Sequence, residues 1–483
     1  MDGSSGVVFP PSGEGRRSTS ALGRAVVADA LRGVDPAGAR AAEHETTWRS
    51  GYLVHFRRLV EVGLTSAESA RRLAADGLAS LHARMRYAAP GGEEVPLPEA
   101  VSGAPPDAGA LSTVTVTGDG EPDRELSLPY HGQRLRGDAL ARQLDSWVEG
   151  GIVEPSCAEA VRRVAANPDW LDLSGLRVVV LGAGAEMGPV HSLLRWGGDV
   201  VAVDLPRRPI WERLLGIARR YPGRLHVPVT GVGDPAERAG ADLLHDLPAV
   251  ARWLRDMPGR LVIGNYAYAD GATHVRVAAA ADALSGHLLA HHPDAALSFL
   301  ATPTDVYAVP PEVVAHSQRA YQQRRSVTRP VRWLTAGRML RRNYPPGADP
   351  GIIDCLVPQQ GPNYALAKRV QRWRATTERA AGRTVSLTVA PMTRTRSVLR
   401  SRVLAAAYAG AHVFGAEVFE PATSNTLMAA LLVHDLRHPA PPSDHPWRDE
   451  AARAAHSGVW RIAYAPRSAL GLAALIGLGG ARH

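Results

Sequence analysis

Two side chains able to handle a proton stand four residues apart, in the run Tyr364-Ala365-Leu366-Ala367-Lys368. On a helix that spacing puts them on one face. A phenol, with an ordinary pKa of about 10, is a poor acid–base catalyst at neutral pH. An ammonium held beside it favours the phenolate and brings the group toward the working range. Lysine and arginine together number 55, yet Lys368 is the only lysine. The position keeps a compact cation in a chain that otherwise uses arginine, whose planar fork would not serve a phenol and a ribose together. A chance surface pair is the bland alternative, and with only 12 tyrosines in the chain it is the weaker one.

The second constellation is the turn Gly182-Ala183-Gly184-Ala185-Glu186-Met187-Gly188. It leaves the apolar run 178–181 and enters a helix predicted over 190–196. Gly182, Gly184 and Gly188 would let the backbone turn tightly and approach a pyrophosphate, with Glu186 and Met187 inside the same turn. The helix beyond would present free N–H groups and a positive dipole end to that anion. The next apolar run, 200–203, ends in Asp204-Leu205, where a carboxylate can accept from both ribose hydroxyls of an adenosine. Asp204 would repel a 2′-phosphate, which favours NAD. Arg207 and Arg208 lie close by and keep NADP as the alternative. S-adenosylmethionine enzymes use the same corner, but they usually carry an acid just before the first glycine, where this chain has Val179-Val180-Leu181.

With both constellations in one chain, the sequence resembles the short-chain dehydrogenase/reductase superfamily over residues 176–435. Tyr364 and Lys368 match its Tyr-x-x-x-Lys motif, and Gly184-x-x-x-Gly188 matches part of its glycine turn. The resemblance implies further site residues. Asp242-Leu243 would lie beside adenine, and Asn265, in Gly264-Asn265-Tyr266-Ala267, would stand in a divergent Asn-Asn-Ala-Gly turn. Thr302 and Thr304 would replace the family's catalytic serine, and Pro391 and Thr393 would contact the nicotinamide. The third glycine is replaced by Val190, and no asparagine occurs in residues 275–291, where a fourth catalytic residue would sit. The implied activity is an NAD(P)-dependent oxidoreductase acting on a carbonyl or alcohol of a small molecule. The alternatives keep the fold without net redox (epimerase, dehydratase, cyclase or non-catalytic partner) or make the chain a methyltransferase.

The elements that must position these residues alternate. Apolar runs at 178–181, 200–203, 261–263, 296–300 and 385–389 read as strands buried on both faces. Helical patterns separate most of them, at 190–196, 210–221, 247–254, 275–291 and 363–381. That alternation predicts an α/β fold, a Rossmann-like doubly wound parallel sheet with a mainly helical N-terminal region. The expected organisation is a disordered tail over 1–20 and a helical domain over 21–170. A catalytic domain over 171–440, with an insertion at about 306–360, and an extension over 441–483 complete it. Within the helical domain, 53–64 and 66–86 read as helices, 88–109 as a linker, and 112–117 with 126–129 as a hairpin.

Composition sets the outer bounds. The 483 residues are 45% hydrophobic and 21% charged, an ordinary globular balance, and the formal charge is +8. A surplus of that sign favours acidic small molecules in a general way, but no basic run interleaved with aromatics points to nucleic acid. Two cysteines exclude a disulfide framework, no segment reads as a signal or a membrane span, and a cytoplasmic protein is expected. Three further features carry weaker readings. His287 and His291 could share a helix face but lack an acidic third ligand. Arg394, Arg396, Arg400 and Arg402 could hold a substrate carboxylate, against the plainer reading of a solvated arginine face. Residues 425–432 read as a core or subunit-interface helix, which leaves a homo-oligomer open.

Overall fold

The computed structural model describes residues 5–11, 15–89, 91, 93–103 and 110–480. Seven strands form the central sheet: β1 (Ser112–Thr117), β2 (Leu176–Leu181), β3 (Asp199–Val203), β4 (Arg224–Val229), β5 (Arg260–Asn265), β6 (Ala296–Ala301) and β7 (Val385–Val389). Across the sheet they run β7-β6-β5-β2-β3-β4-β1. All neighbours are parallel except β1, which pairs antiparallel with β4. The apolar runs form strands because both faces are covered: Val178, Val179, Val180 and Leu181 are all 0% exposed. From β2 the chain builds β3 and β4 on one side, then crosses back to build β5, β6 and β7 on the other. This is the doubly wound order, and its switch point lies beside β2, where a crevice opens at the carboxyl ends of the strands.

The helices that matter for the site are α1 (Thr19–Arg32), α2 (Trp48–Gly63), α3 (Ala67–Arg84), α4 (Val190–Arg195), α5 (Gly271–His291), α6 (Gly361–Ala380), α7 (Arg402–Ala409), α8 (Pro421–Arg437) and α9 (Pro466–Gly480). The first three belong to the N-terminal region. Their apolar faces pack on α5 and α6, so that Leu22, Phe56 and Leu81 share one core with Val179, Ile263 and Leu366. Gly77 of α3 meets Trp373 of α6, where a Cβ would lie 2.5 Å from the indole ring. Asp282 of α5, buried, is held by His82 at 2.6 Å and by Arg374 at 2.8 and 2.9 Å, which ties α3, α5 and α6 together.

Several local expectations need correction. The tail expected to be disordered contains the strand Gly6–Val8, paired with Arg86–Ala88. Val7 donates to the Leu244 carbonyl at 2.8 Å, Arg276 donates to the Val7 and Ser5 carbonyls, and Val7, Val8 and Phe9 are buried, so this short apolar run is held in place. Residues 1–4 and 12–14 of that tail, and 90, 92 and 104–109 of the linker, lie outside the described residues. The linker also holds the strand Glu94–Pro96 and the helix Leu97–Ser102. The hairpin between 112–117 and 126–129 does not form. β1 sets Val114 and Val116 against Val227 and Leu225 of β4 as an edge strand, while Leu128–Tyr130 pairs with Gln133–Leu135. The insertion is local substructure: an antiparallel pair, Val306–Val309 with Gly351–Asp354, flanks the long helix Pro311–Leu334. Residues 425–432 belong to α8, a core helix with Leu427, Ala429, Leu431 and Val433 at 0% exposure. No helix among the described residues is long and apolar enough to cross a membrane.

Candidate functional site

A cavity of about 1460 Å³ opens along the carboxyl edge of the sheet. That exceeds the roughly 300–1,000 Å³ of ordinary small-ligand pockets and leaves room for a dinucleotide and a second molecule. Gly182, Gly184, Glu186, Met187, Asp204, Leu205, Asp242, Leu243, Asn265, Pro391 and Thr393 all line it, and so do Thr302, Thr304, Tyr364 and Lys368. Of the catalytic and cofactor residues expected from sequence, Gly188 alone does not. Its N–H closes the turn on the Ala185 carbonyl at 3.1 Å.

The glycine turn is as tight as its composition requires. Gly182 has φ +84, and a Cβ there would sit 2.6 Å from the Ala267 backbone, so both conformation and close approach demand glycine. The turn's amides are largely used internally: Gly184 donates to the Asp204 carboxylate at 2.6 Å, and Ala185 donates to the Gly182 carbonyl at 3.0 Å. The helix after the turn departs from expectation. α4 has only six residues, and Pro189 at its cap has no N–H to offer, which weakens the anticipated anion site.

Asp204 both shapes this corner and faces the cavity. Its second oxygen accepts from the Leu205 N–H at 2.8 Å, and each oxygen keeps a further lone pair for a ligand. Burial raises its pKa, while the Gly184 and Leu205 amides and the nearby Arg213 and Arg207 pull it back. Arg213 was not anticipated; it donates to the Gly184 carbonyl at 2.7 Å and lines the cavity with Arg207. Arg208 is turned away to Glu212 and Glu237 at 2.7 and 2.9 Å. Asp242 accepts from the Leu244 N–H at 2.8 Å, and Asn265 accepts from the Ala267 N–H at 3.3 Å. The Thr393 hydroxyl is engaged by Ser424 at 2.7 Å and by the Pro391 carbonyl at 2.9 Å.

At the β6 side the proton-handling groups converge. Tyr364 and Lys368 lie in the first half of α6, and Thr302 and Thr304 follow β6 with their hydroxyls 2.8 Å apart. Burial pushes the Tyr364 phenol up to about 12; the Thr302 hydroxyl draws it down and the charge of Asp305 adds to the rise. Burial lowers the Lys368 amine to about 8, with Asp305 opposing. The amine donates to the Leu300 carbonyl at 3.1 Å and to Gln371 at 3.2 Å. The expected lowering of the phenol by Lys368 is thus not expressed here, because the amine is directed to these oxygens and burial governs the phenol.

His274 escaped the sequence reading. It stands in the first turn of α5, the helix for which an asparagine was expected and not found, and it lines the cavity. Its ring lies 5.5 Å from that of Tyr364, and Tyr268 packs edge-on at 5.0 Å from His274 and 6.3 Å from Tyr364. The imidazole is 2% exposed, and its Nδ1 has no hydrogen-bond partner among the described residues. Burial, then the charge of Lys368, lowers its pKa to about 3, so it is neutral at working pH. The only signal in sequence was its place just after the Asn265 strand end.

Behind the site, Asp305 holds α6 in place. It is 1% exposed and pairs with Arg369 at 3.1 Å and Arg372 at 2.7 Å, and Arg372 also pairs with Glu450 at 2.6 Å. Three of the four arginines considered for an acidic substrate have carboxylates of their own. Arg394 faces Glu420 at 3.7 Å, Arg396 holds Glu186 at 3.0 Å, and Arg400 faces Asp270 at 3.6 Å. The His287 and His291 rings lie 4.4 Å apart and tilted, and no group of three metal-ligating side chains occurs among the described residues.

No protein-family model and no curated protein matches the chain. Among solved structures it is similar to an A-type ketoreductase from a modular polyketide synthase, at TM-score 0.31 and 15% identity, over 54% of this chain and 46% of that one. It is similar to an A1-type ketoreductase at TM-score 0.31 and 14% identity, over 54% of this chain and 45% of that one. The chain thus spans less than half the length of each.

Proposed function

We propose that the chain is an NAD(P)-dependent oxidoreductase acting on a carbonyl or alcohol carbon of a small molecule. One observation carries the reading: Tyr364, Lys368 and Thr302 line the same carboxyl-edge cavity as the Gly182 turn and Asp204. A dinucleotide fits by volume, since the cavity holds about 1460 Å³ and Asp204 lines it beside the glycine turn. Asp204 and the Asp242-Leu243 pair would hold the adenosine, and Asn265, Pro391 and Thr393 the opposite end. Arg207 and Arg213 would receive a 2′-phosphate if the cofactor is NADP. The bound nicotinamide supplies or accepts the hydride.

Thr302 hydrogen-bonds the substrate oxygen, with Thr304 fixing its hydroxyl. In reduction Tyr364 gives its phenolic proton to that oxygen, and in oxidation it takes the proton back as phenolate. Lys368 favours the phenolate when its ammonium faces the phenol, and neutral His274 adds no competing charge. A purified sample given NADH or NADPH and a carbonyl panel should lose the absorbance of the reduced nicotinamide. Failure with a cofactor-saturated, folded protein across a broad panel would remove the redox assignment.

The amine sets the alkaline limit. Lys368 has its pKa lowered to about 8, so its charge is present below that value and lost above it. The rate kcat/KM is expected to fall roughly tenfold per pH unit beyond that point. The Tyr364 phenol, pushed up to about 12, is protonated across this range before substrate binds, so in the reduction direction it does not itself set the limit. A flat profile across this range would contradict the role given to Lys368.

A further inference from the structure

The cavity has an arm that the nucleotide does not need. It leaves the Tyr364 region and runs between α7 and α9. Leu404, Ala407 and Tyr408 of α7, with Ala411 beyond it, line one wall. Pro466, Ala469, Leu470 and Ala473 of α9 line the other. Both sets follow the same spacing of three, four and seven residues, which is one face of a helix. The two helices also pack on each other, in backbone contact that glycines permit. A Cβ on Gly477 would lie 1.9 Å from the Ala406 carbonyl, and one on Gly410 would lie 2.1 Å from that of Ala473.

The chemistry of the arm is uniform. Phe414, Val459 and Ile462 close it, and no charged side chain of α7 or α9 lines it. Tyr408 is the one polar side chain those two helices contribute, and it marks the junction, since burial and then the nearby Tyr364 raise its pKa. The arginines near the mouth, Arg396 and Arg400, have carboxylates of their own in Glu186 and Asp270. A charged substrate body would lose its hydration in this arm and find no partner, whereas an apolar one gains from burial.

We propose that the arm binds the body of the substrate, and that this substrate is a neutral ketone or secondary alcohol with an extended apolar body. Its oxygen lies at Tyr364 and Thr302 and its hydrocarbon between α7 and α9. The inference rests on the redox reading for the meaning of the oxygen, and it is tested by binding alone. A neutral naphthyl ketone fluorophore, whose emission shifts to the blue on leaving water, is titrated into the full-length protein with saturating NAD or NADP. Unlabelled methyl ketones of increasing chain length then compete with it.

Binding is expected to saturate with a blue shift, and competitor affinity to rise about fourfold per added methylene. The Ala407→Trp and Ala473→Trp variants, each filling the arm, are expected to weaken the fluorophore at least tenfold with nucleotide affinity unchanged. The chain-length series on the unaltered protein decides the matter even if both variants misfold. Affinity independent of chain length, or fatty acids binding more tightly than ketones of equal length, would overturn the proposal. Chain-length-dependent binding with no nicotinamide oxidation would support the arm and sink the redox reading instead.

Discussion

Replacing Tyr364 by phenylalanine is expected to lower turnover by about 10²–10⁴-fold, the usual contribution of a positioned acid–base group, with nucleotide affinity nearly unchanged. The substitution removes one oxygen and leaves the ring against Tyr268 and His274, so the wall of the cavity persists. The loss should fall on kcat, because the proton moves only as the carbon–oxygen bond changes. Lys368→Arg should give a second large loss, since a guanidinium cannot place a compact charge beside the phenol. Full activity in Tyr364→Phe would mean that the proton comes from another group, and buried His274 would be the first to examine.

The largest expected loss of stability is at Asp305. Its removal would leave the guanidinium groups of Arg369 and Arg372, 5% and 1% exposed, without their common carboxylate. Breaking a buried charge pair by deleting one partner costs about 3–5 kcal/mol, and Glu450 would remain to satisfy only part of Arg372. Asp305→Ala should therefore move the midpoint of urea unfolding down sharply, and a shift worth less than about 1 kcal/mol would contradict the account. Burial pushes the Asp305 carboxyl up, but Arg369 and Arg372 outweigh it and hold the pKa below its ordinary value. The sign follows: this stabilisation is present above the unfolded carboxylate pKa, about 3.9, and is lost as pH falls toward the folded value. The variant should lack that part of the acid sensitivity.

Which parts of this arrangement were legible in sequence follows from how local their causes are. β2, β3, β5, β6 and β7 could be read because two buried faces force consecutive apolar residues. β4 was missed because Arg224, His226 and Pro228 break its apolar run, although each is accommodated at the edge beside β1. The partner of β1 lies more than a hundred residues away, and alternation of threonine and valine could not name it. The glycine turn and Tyr364/Lys368 were legible because conformation and helix spacing act over a few residues. Other features depend on tertiary packing and left no local mark. These include the engagement of the Lys368 amine by Leu300 and Gln371, the neutral His274 beside the phenol, and the use of α9 as a cavity wall. The N-terminal region, given no chemistry from its sequence, contributes Thr19, Ser20 and Arg49 to the cavity for the same reason.

The most direct test of the central claim is calorimetric titration of the folded, full-length protein with NAD, NADP and S-adenosylmethionine in parallel. Saturable heat with a nicotinamide dinucleotide, and none with S-adenosylmethionine, is the predicted result. Heat with S-adenosylmethionine alone would contradict it and turn the carboxyl-edge cavity into a methyltransferase site.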